Sequence, residues 1–140
     1  YGGYPSWWAV THFPLEITAA AAPICGMTDL VVDYETTRPD LRPYSAEMMG
    51  GTPDQAAERY YQRSPLNFIQ NIQGRLLIIQ GGHDPNVTPK NVDAVLDSLD
   101  KYGVSYELLN FEDEGHGIHK VANQRRLYLR LAEFFEKAFA

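Results

Sequence analysis

The sequence predicts an α/β fold in which a parallel β-sheet is flanked by helices. Two apolar segments, residues 74–82 and 105–111, have the length and composition of buried strands, and a helical pattern follows each of them. Strands and helices that alternate at this spacing are typical of βαβ units, whose neighbouring strands run parallel. The 140 residues, 44% of them hydrophobic, are enough to bury one core.

The first quarter of the chain predicts a helix and a strand. Residues 4–13 carry bulky side chains on most sides, as a buried helix does, and Pro14 marks its end. Pro5 suits the first turn of a helix, where its missing N–H costs little. Residues 17–24 are small, apolar and bounded by turn formers, so we expect a buried strand there.

The next forty residues are expected to be largely irregular. Four prolines and the pair Gly50-Gly51 interrupt residues 26–66, which leaves room only for short helices around 44–49 and 54–62.

The second half contains the strongest patterns. Residues 74–82 include the aliphatic run Leu76 to Ile79, as in a parallel strand covered on both faces. Residues 89–102 place Val92, Val95, Leu96 and Leu99 on one helical stripe, and Gly103 is a natural helix stop.

The last two elements complete the βαβ pattern. Residues 105–111 are the next predicted strand, and residues 120–139 form a long final helix. Its inward-facing residues are expected to be Val121, Leu127, Leu131, Phe134 and Phe135.

Composition excludes several classes of function. A formal net charge of -6 with no basic run argues against nucleic acid or an anionic membrane as a partner. No segment approaches the roughly 18 apolar residues of a membrane span, and no secretory leader is visible, so a cytoplasmic location is expected. The single cysteine, Cys25, excludes an intrachain disulfide and is expected to be a buried, inert thiol.

A carboxylate and an imidazole follow two neighbouring strands of the predicted sheet. Asp84 comes just after the first strand, and His116, between two glycines, comes just after the second. Sites in parallel sheets lie beyond the carboxyl ends of the strands, so these side chains are expected to meet. A carboxylate bound to one imidazole nitrogen fixes the tautomer and leaves the other nitrogen to take a proton from a nucleophile.

Simpler interpretations of each residue remain open at this stage. Asp84 could be a turn residue, and His116 could be a surface histidine. The other candidates have structural interpretations: Ser6 and His119 at helix starts, His12 as a packed histidine, and Asp113 and Glu114 as a solvated acidic rim. The spacing of His83, His116 and His119 matches no reliable metal-ligand pattern, so neither a metal nor a cofactor is expected.

The opening residues, Tyr1-Gly2-Gly3-Tyr4, look like the second half of a nucleophile elbow. That turn has the pattern G-x-S-x-G and leads from a strand into a helix. A serine immediately before Tyr1 would complete the order Ser, Asp, His, which is the order found in α/β-hydrolases. The backbone N–H of Tyr1 would then help to bind the oxyanion.

The chain resembles the C-terminal half of the catalytic domain of the prolyl oligopeptidase family of serine peptidases. The resemblance is closest to the dipeptidyl-peptidase and acylaminoacyl-peptidase branch. It runs along the whole chain, through the strings YGGY, WAVTH, AAAAPICGMTDL, SPLNFI, LLIIQGGHDPNVTP and FEDEGHGIHKVAN. Position 83 departs from the branch, which often has Asn where this chain has His83.

The resemblance implies an α/β-hydrolase fold, of which residues 1–140 would form the C-terminal part. It implies Asp84 as the triad acid, His116 as the general base and the N–H of Tyr1 as one oxyanion donor. The substrate would be a short peptide or an acyl-amino acid. The N-terminal half of the domain and a β-propeller would lie outside the chain.

Two other functions remain possible from the sequence. One is a carboxylesterase or dienelactone-type hydrolase. The other is an inactive hydrolase fragment that acts as a binding or dimerisation module. An open sheet edge would favour a homo-oligomer, or pairing with a chain that supplies the N-terminal half.

Overall fold

The computed structural model describes all residues from 1 to 140. Its centre is a parallel three-stranded sheet in the order β1-β2-β3, where β1 is Ala20–Ala21, β2 is Arg75–Gly81 and β3 is Glu107–Phe111. Gly81 lies opposite Phe111 in the register of β2 and β3. The two strands therefore end side by side, and the loops that follow them leave the same edge of the sheet.

Helices flank this sheet. The α-helices are α1 (Gly3–His12), α2 (Leu30–Thr36), α3 (Arg42–Met49), α4 (Ala57–Arg63), α5 (Lys90–Lys101) and α6 (Val121–Ala138). Two 3₁₀ segments, Pro39–Leu41 and Pro65–Asn71, connect some of them. No helix is both long enough and apolar enough to cross a lipid bilayer.

Strand β2 separates two hydrophobic clusters because its alternate side chains point to opposite faces. Leu76 and Ile78 pack with α1, α5 and the segment Pro65–Asn71 on one face. Leu77 and Ile79 pack on the other face, with residues of β3 and α6. This double burial explains the unbroken aliphatic run, and the predicted parallel sheet flanked by helices is confirmed.

The predicted elements of the second half, and the first helix, agree with the structure to within about two residues, the usual uncertainty of such boundaries. Val92, Val95 and Leu99 of α5 are buried as predicted, and so are Leu127 and Phe134 of α6. Val121 is an exception, because it is 80% exposed at the start of α6. Val121 lies in the first turn of α6, beyond the edge of the hydrophobic core.

The strand predicted over residues 17–24 is much shorter than expected, since only Ala20–Ala21 forms regular strand. Pro23 has no N–H to continue the ladder. The chain nevertheless stays beside β2: Ile79 N donates to Pro23 O at 3.0 Å, and Cys25 N donates to Ile79 O at 2.9 Å. The segment thus reaches the strand-end edge as irregular chain.

Helix α2 is the α-helix that the sequence did not predict. The side chain of Asp29 caps it by accepting from the N–H groups of Val31 and Val32. The cap is visible in the sequence as Asp before an apolar run. Two valines, which have low helix propensity, and the surrounding prolines concealed it.

Candidate active site

The loops after β2 and β3 are fastened to one another by backbone hydrogen bonds. Gly82 N donates to Phe111 O at 2.8 Å, and His83 N donates to Glu114 O at 2.9 Å. These bonds continue the pairing of the two strands beyond the sheet. These main-chain hydrogen bonds bring together the loops that carry Asp84 and His116.

The side chain of Asp84 is completely shielded from solvent and uses both carboxylate oxygens. Its Oδ1 accepts from the N–H groups of Asn86 and Val87, each at 2.9 Å. Its Oδ2 lies 2.9 Å from Nδ1 of His116, and its side chain has 0% exposure. Asp84 is therefore both a turn residue and the partner of the imidazole, so the two interpretations of the sequence are compatible.

His116 stands at the tip of a tight loop. Gly115 and Gly117 form an antiparallel bridge on either side of it, and Gly117 has φ of +117°, a conformation that favours glycine. The imidazole side chain is 42% exposed and lines a cleft. With Nδ1 bonded to a carboxylate, Nε2 is the nitrogen available for proton transfer.

Glu114 was expected on a solvated rim, and this prediction is wrong. The residue is 4% exposed, and its carboxylate accepts from the N–H groups of His119 and Lys120 and from Nδ2 of Asn123. These hydrogen bonds hold the pKa of Glu114 below its usual value, and the bond from Asn123 has the largest effect. Glu114 thereby ties the loop of His116 to the start of α6, whereas Asp113 is exposed and pairs with Lys120.

The opening Tyr1-Gly2-Gly3 leads directly into α1. A Cβ at Gly3 would lie 2.5 Å from Cα of Gly26, so only glycine allows the helix start to approach this loop. Tyr1 lines the same cleft as His116, and its hydroxyl hydrogen-bonds that of Tyr44 on α3. The segment predicted to follow a nucleophile and the predicted base thus border one space.

That cleft has a volume of about 520 Å³, within the range of small-molecule sites. Helices α2, α3 and α4 contribute much of its wall. Most of the lining is apolar, with Met27, Leu30, Leu41, Met48, Met49 and Tyr60 among the side chains.

Asp33 of α2 also lines the cleft, although it was not among the site residues predicted from the sequence. It is 6% exposed, and its Oδ1 has no hydrogen-bond partner. Burial, followed by the negative charge of Asp84, raises its pKa to about 7, while His116 acts in the opposite direction. In the sequence, Asp33 is an acid in the middle of the string VVDY. This pattern would have marked Asp33 as a candidate only if α2 had been recognised as a helix.

Cys25 is buried beside the Asp84–His116 pair. Its sulfur lies within 4.8 Å of ligand atoms of both residues. Burial raises the pKa of the thiol, against backbone hydrogen bonds from Gly117 and Gly81 that lower it. A thiol that stays protonated is a poor nucleophile and a poor metal ligand, and Asp84 and His116 already bind one another.

The remaining candidates have structural surroundings. Ser6 Oγ donates to Gly2 O at 2.8 Å within α1. His12 stacks on Trp8 with ring centroids 3.5 Å apart. His119 precedes α6 and is exposed. His83 does not join His116 and His119 in a group of potential metal ligands.

Comparisons with known proteins identify the family. The prolyl oligopeptidase family profile matches residues 1–140. Dipeptidyl peptidase family member 6 of Caenorhabditis elegans is 28% identical over 98% of this chain and 19% of its own length. Dipeptidyl aminopeptidase BIII of Pseudoxanthomonas mexicana is 29% identical over 89% of this chain and 19% of its own.

Solved structures agree. A puromycin-hydrolyzing peptidase of Mycobacterium tuberculosis superposes with a TM-score of 0.90 at 26% identity, over 99% of this chain and 20% of that protein. An acylaminoacyl peptidase of Pyrococcus horikoshii has a TM-score of 0.84 at 24% identity, over 97% and 22% of the two chains, and this likeness concerns the fold. The chain spans about a fifth of the length of these relatives. With an α/β-hydrolase sheet and a family profile matched from end to end, the chain belongs to the prolyl oligopeptidase family.

Proposed function

We propose that this chain supplies the acid and the base of a serine peptidase that hydrolyses short peptides or acyl-amino acids. Asp84 is the acid, His116 is the base, and the nucleophile is a serine that precedes Tyr1 in the complete protein. The observation that carries the proposal is the hydrogen bond of 2.9 Å between His116 Nδ1 and Asp84 Oδ2. The names of the related dipeptidyl peptidases support a peptide substrate.

The proposed reaction is acyl transfer to water in two steps. His116 Nε2 accepts the serine proton while the serine oxygen attacks the scissile carbonyl carbon, and Asp84 stabilises the resulting imidazolium. His116 then gives the proton to the leaving amine. Water, deprotonated by His116, attacks the acyl-enzyme. His116 then returns this proton to the departing serine oxygen, and the carboxylic acid and free serine are released.

The N–H of Tyr1 is the proposed oxyanion donor. In a nucleophile elbow the N–H that follows the serine points towards the developing negative charge. One such donor contributes on the order of 100- to 1,000-fold to turnover in related chemistry. The cleft that Tyr1 and His116 share supports this arrangement, since substrate bound there would lie between helix α1 and the imidazole.

The test is covalent labelling of the complete protein with a fluorophosphonate probe. We expect the wild type to be labelled at the serine before Tyr1 and His116→Ala to lose labelling. His119→Ala is the matched control, because it removes an exposed imidazole three positions away and should retain labelling. The isolated chain of 140 residues should not react, and labelling of Ser6 would contradict the proposal.

Substrate assays separate the remaining alternatives. Hydrolysis of peptidyl p-nitroanilides is expected of a peptidase. Activity confined to p-nitrophenyl esters would indicate a carboxylesterase instead. A complete protein that neither reacts with the probe nor hydrolyses either substrate would favour a non-catalytic binding module.

Location and assembly remain predictions. A cytoplasmic location is still expected from the sequence. Strands β1 and β3 are the outer strands of the three-stranded sheet in this chain. An outer strand offers unpaired backbone groups, which supports pairing with the rest of the catalytic domain or with a second copy.

A further inference from the structure

The buried carboxylate of Asp33 lacks the partners that a structural acid normally has. Its Oδ1 makes no hydrogen bond although the residue is 6% exposed. Buried polar groups are almost always hydrogen-bonded, because losing water without a replacement costs about 1–3 kcal/mol or more. An acid that bears this cost at the wall of a cleft is suited to a ligand rather than to the fold.

The charged groups around Asp33 do not include a cation that pairs with its carboxylate. Asp84 disfavours ionisation of Asp33, and His116 favours it, but His116 is already bound to Asp84. Arg63 also lines the cleft; it is exposed, and its charge acts on Tyr4. A ligand that brings a positive charge would therefore find an acid with no fixed counter-ion among residues 1–140.

The lining of the cleft indicates what kind of cation fits. Methionine, leucine and tyrosine side chains form most of the wall. Such a wall accommodates methylene groups, and methionine adapts to an unbranched chain. The α-ammonium of a peptide sits next to a polar amide, whereas the cation of lysine or arginine stands at the end of an apolar stem.

We propose that Asp33 is a specificity-determining residue that binds the cationic side chain of lysine or arginine in the substrate. This inference rests on the proposed function, and it names the side chain that the cleft accepts next to the scissile bond. A bound ammonium or guanidinium would donate charge-assisted hydrogen bonds to the carboxylate. Ionisation of Asp33 would be favoured by the same contact.

The test compares lysine with norleucine, which has the same linear stem without the ammonium group. The complete protein is assayed at pH 8 with peptidyl p-nitroanilides that carry lysine, arginine, norleucine or leucine before the scissile bond. The wild type should favour lysine over norleucine in kcat/KM by on the order of 10- to 100-fold, as expected for a hydrogen bond to a charged group. Equal or reversed preference in the wild type would overturn the inference, whatever the variants do.

Asp33→Asn should remove most of the lysine preference and leave norleucine hydrolysis within about threefold of the wild type, because the amide keeps the shape without the charge. Asp40→Asn is the matched control: Asp40 is exposed and pairs with Arg38 at the surface. A loss shared equally by lysine and norleucine would assign Asp33 a structural role. Wild-type protein that reacts with fluorophosphonate yet shows no lysine preference contradicts this inference alone, whereas protein inert to probe and substrates contradicts the proposed function.

Discussion

Asp33 lines the cleft, whereas Asp84 is bonded to His116, which lines it, and the surroundings of these two buried aspartates are opposite. Asp84 follows a strand and has hydrogen bonds on both carboxylate oxygens. Asp33 lies within helix α2, where Oδ1 has none. The protein thus holds the carboxylate of Asp84 through both oxygens, whereas it leaves Oδ1 of Asp33 without a hydrogen bond.

The difference comes from backbone geometry. A turn exposes N–H groups of the next residues to a side chain that precedes them, which is how Asn86 and Val87 reach Asp84. A helix uses its own N–H groups, and that of Asp33 donates to Asp29 O at 2.9 Å. An acid that faces a cleft from the body of a helix must therefore find its partner elsewhere.

The largest expected effect is the loss of turnover when the hydrogen-bonded carboxylate of Asp84 is replaced. Asp84→Asn in the complete enzyme should lower turnover by on the order of 10⁴, because an amide stabilises the wrong imidazole tautomer. Steady-state hydrolysis of a peptidyl p-nitroanilide measures this. Asp93→Asn, at an exposed position of α5, is the control for the charge change. Wild-type turnover in Asp84→Asn would remove Asp84 from the mechanism.

The next effect concerns Asp33 and is measured as a change of protein stability with pH. The pKa of Asp33 rises from 3.8 to about 7 in the folded protein. Between these two pH values, the folded state therefore retains a proton that the unfolded state has lost. The resulting stability is complete below pH 3.8 and is lost as pH rises through about 7. The difference corresponds to at most about 4 kcal/mol.

Chemical denaturation of the complete protein at pH 5 and pH 8 measures this contribution. The unfolding free energy of the wild type should fall relative to Asp33→Asn between these two pH values, because asparagine does not titrate. Parallel pH profiles for the two proteins would show that Asp33 is ionised at little cost in the folded state.

A smaller effect is expected at Glu114, whose hydrogen bonds tie the loop of His116 to the start of α6. Glu114→Gln weakens the hydrogen bonds to His119, Lys120 and Asn123. We expect kcat to fall by about 10-fold while KM stays constant, since misplacement of a catalytic group slows the reaction without altering binding. Asp113→Asn, on the exposed neighbour, should change neither constant. A rise in KM alone would place Glu114 in substrate binding instead.

The smallest effect is expected at Cys25. Its thiol is near both partners of the pair, but burial raises its pKa. Cys25→Ala should leave turnover within about threefold of the wild type, because a protonated thiol contributes no nucleophile. Thiol titration of the native protein should be slow and should become rapid on unfolding. A large loss of turnover would make the thiol part of the site.

The sequence predicted those features that repeat along the chain or depend on strand order. Asp84 and His116 could be paired in advance because each follows a strand and the two strands are consecutive. Helix α2 and Asp33 could not, since prolines and valines masked a helix that depends on the Asp29 cap and on packing. The role of Glu114 depends on where α6 begins relative to its loop, which only the folded chain specifies.

The backbone bonds between the two loops have a consequence for divergence. His83 contributes its N–H to Glu114 O, and its side chain is exposed. Because the bond uses only the main-chain N–H, it does not depend on the side chain of His83. Any amino acid except proline can supply the same donor at position 83, whereas a Cβ at Gly81 or Gly82 would collide with the backbone of the facing loop. Position 83 can therefore change without separating the two loops, but its two glycine neighbours cannot.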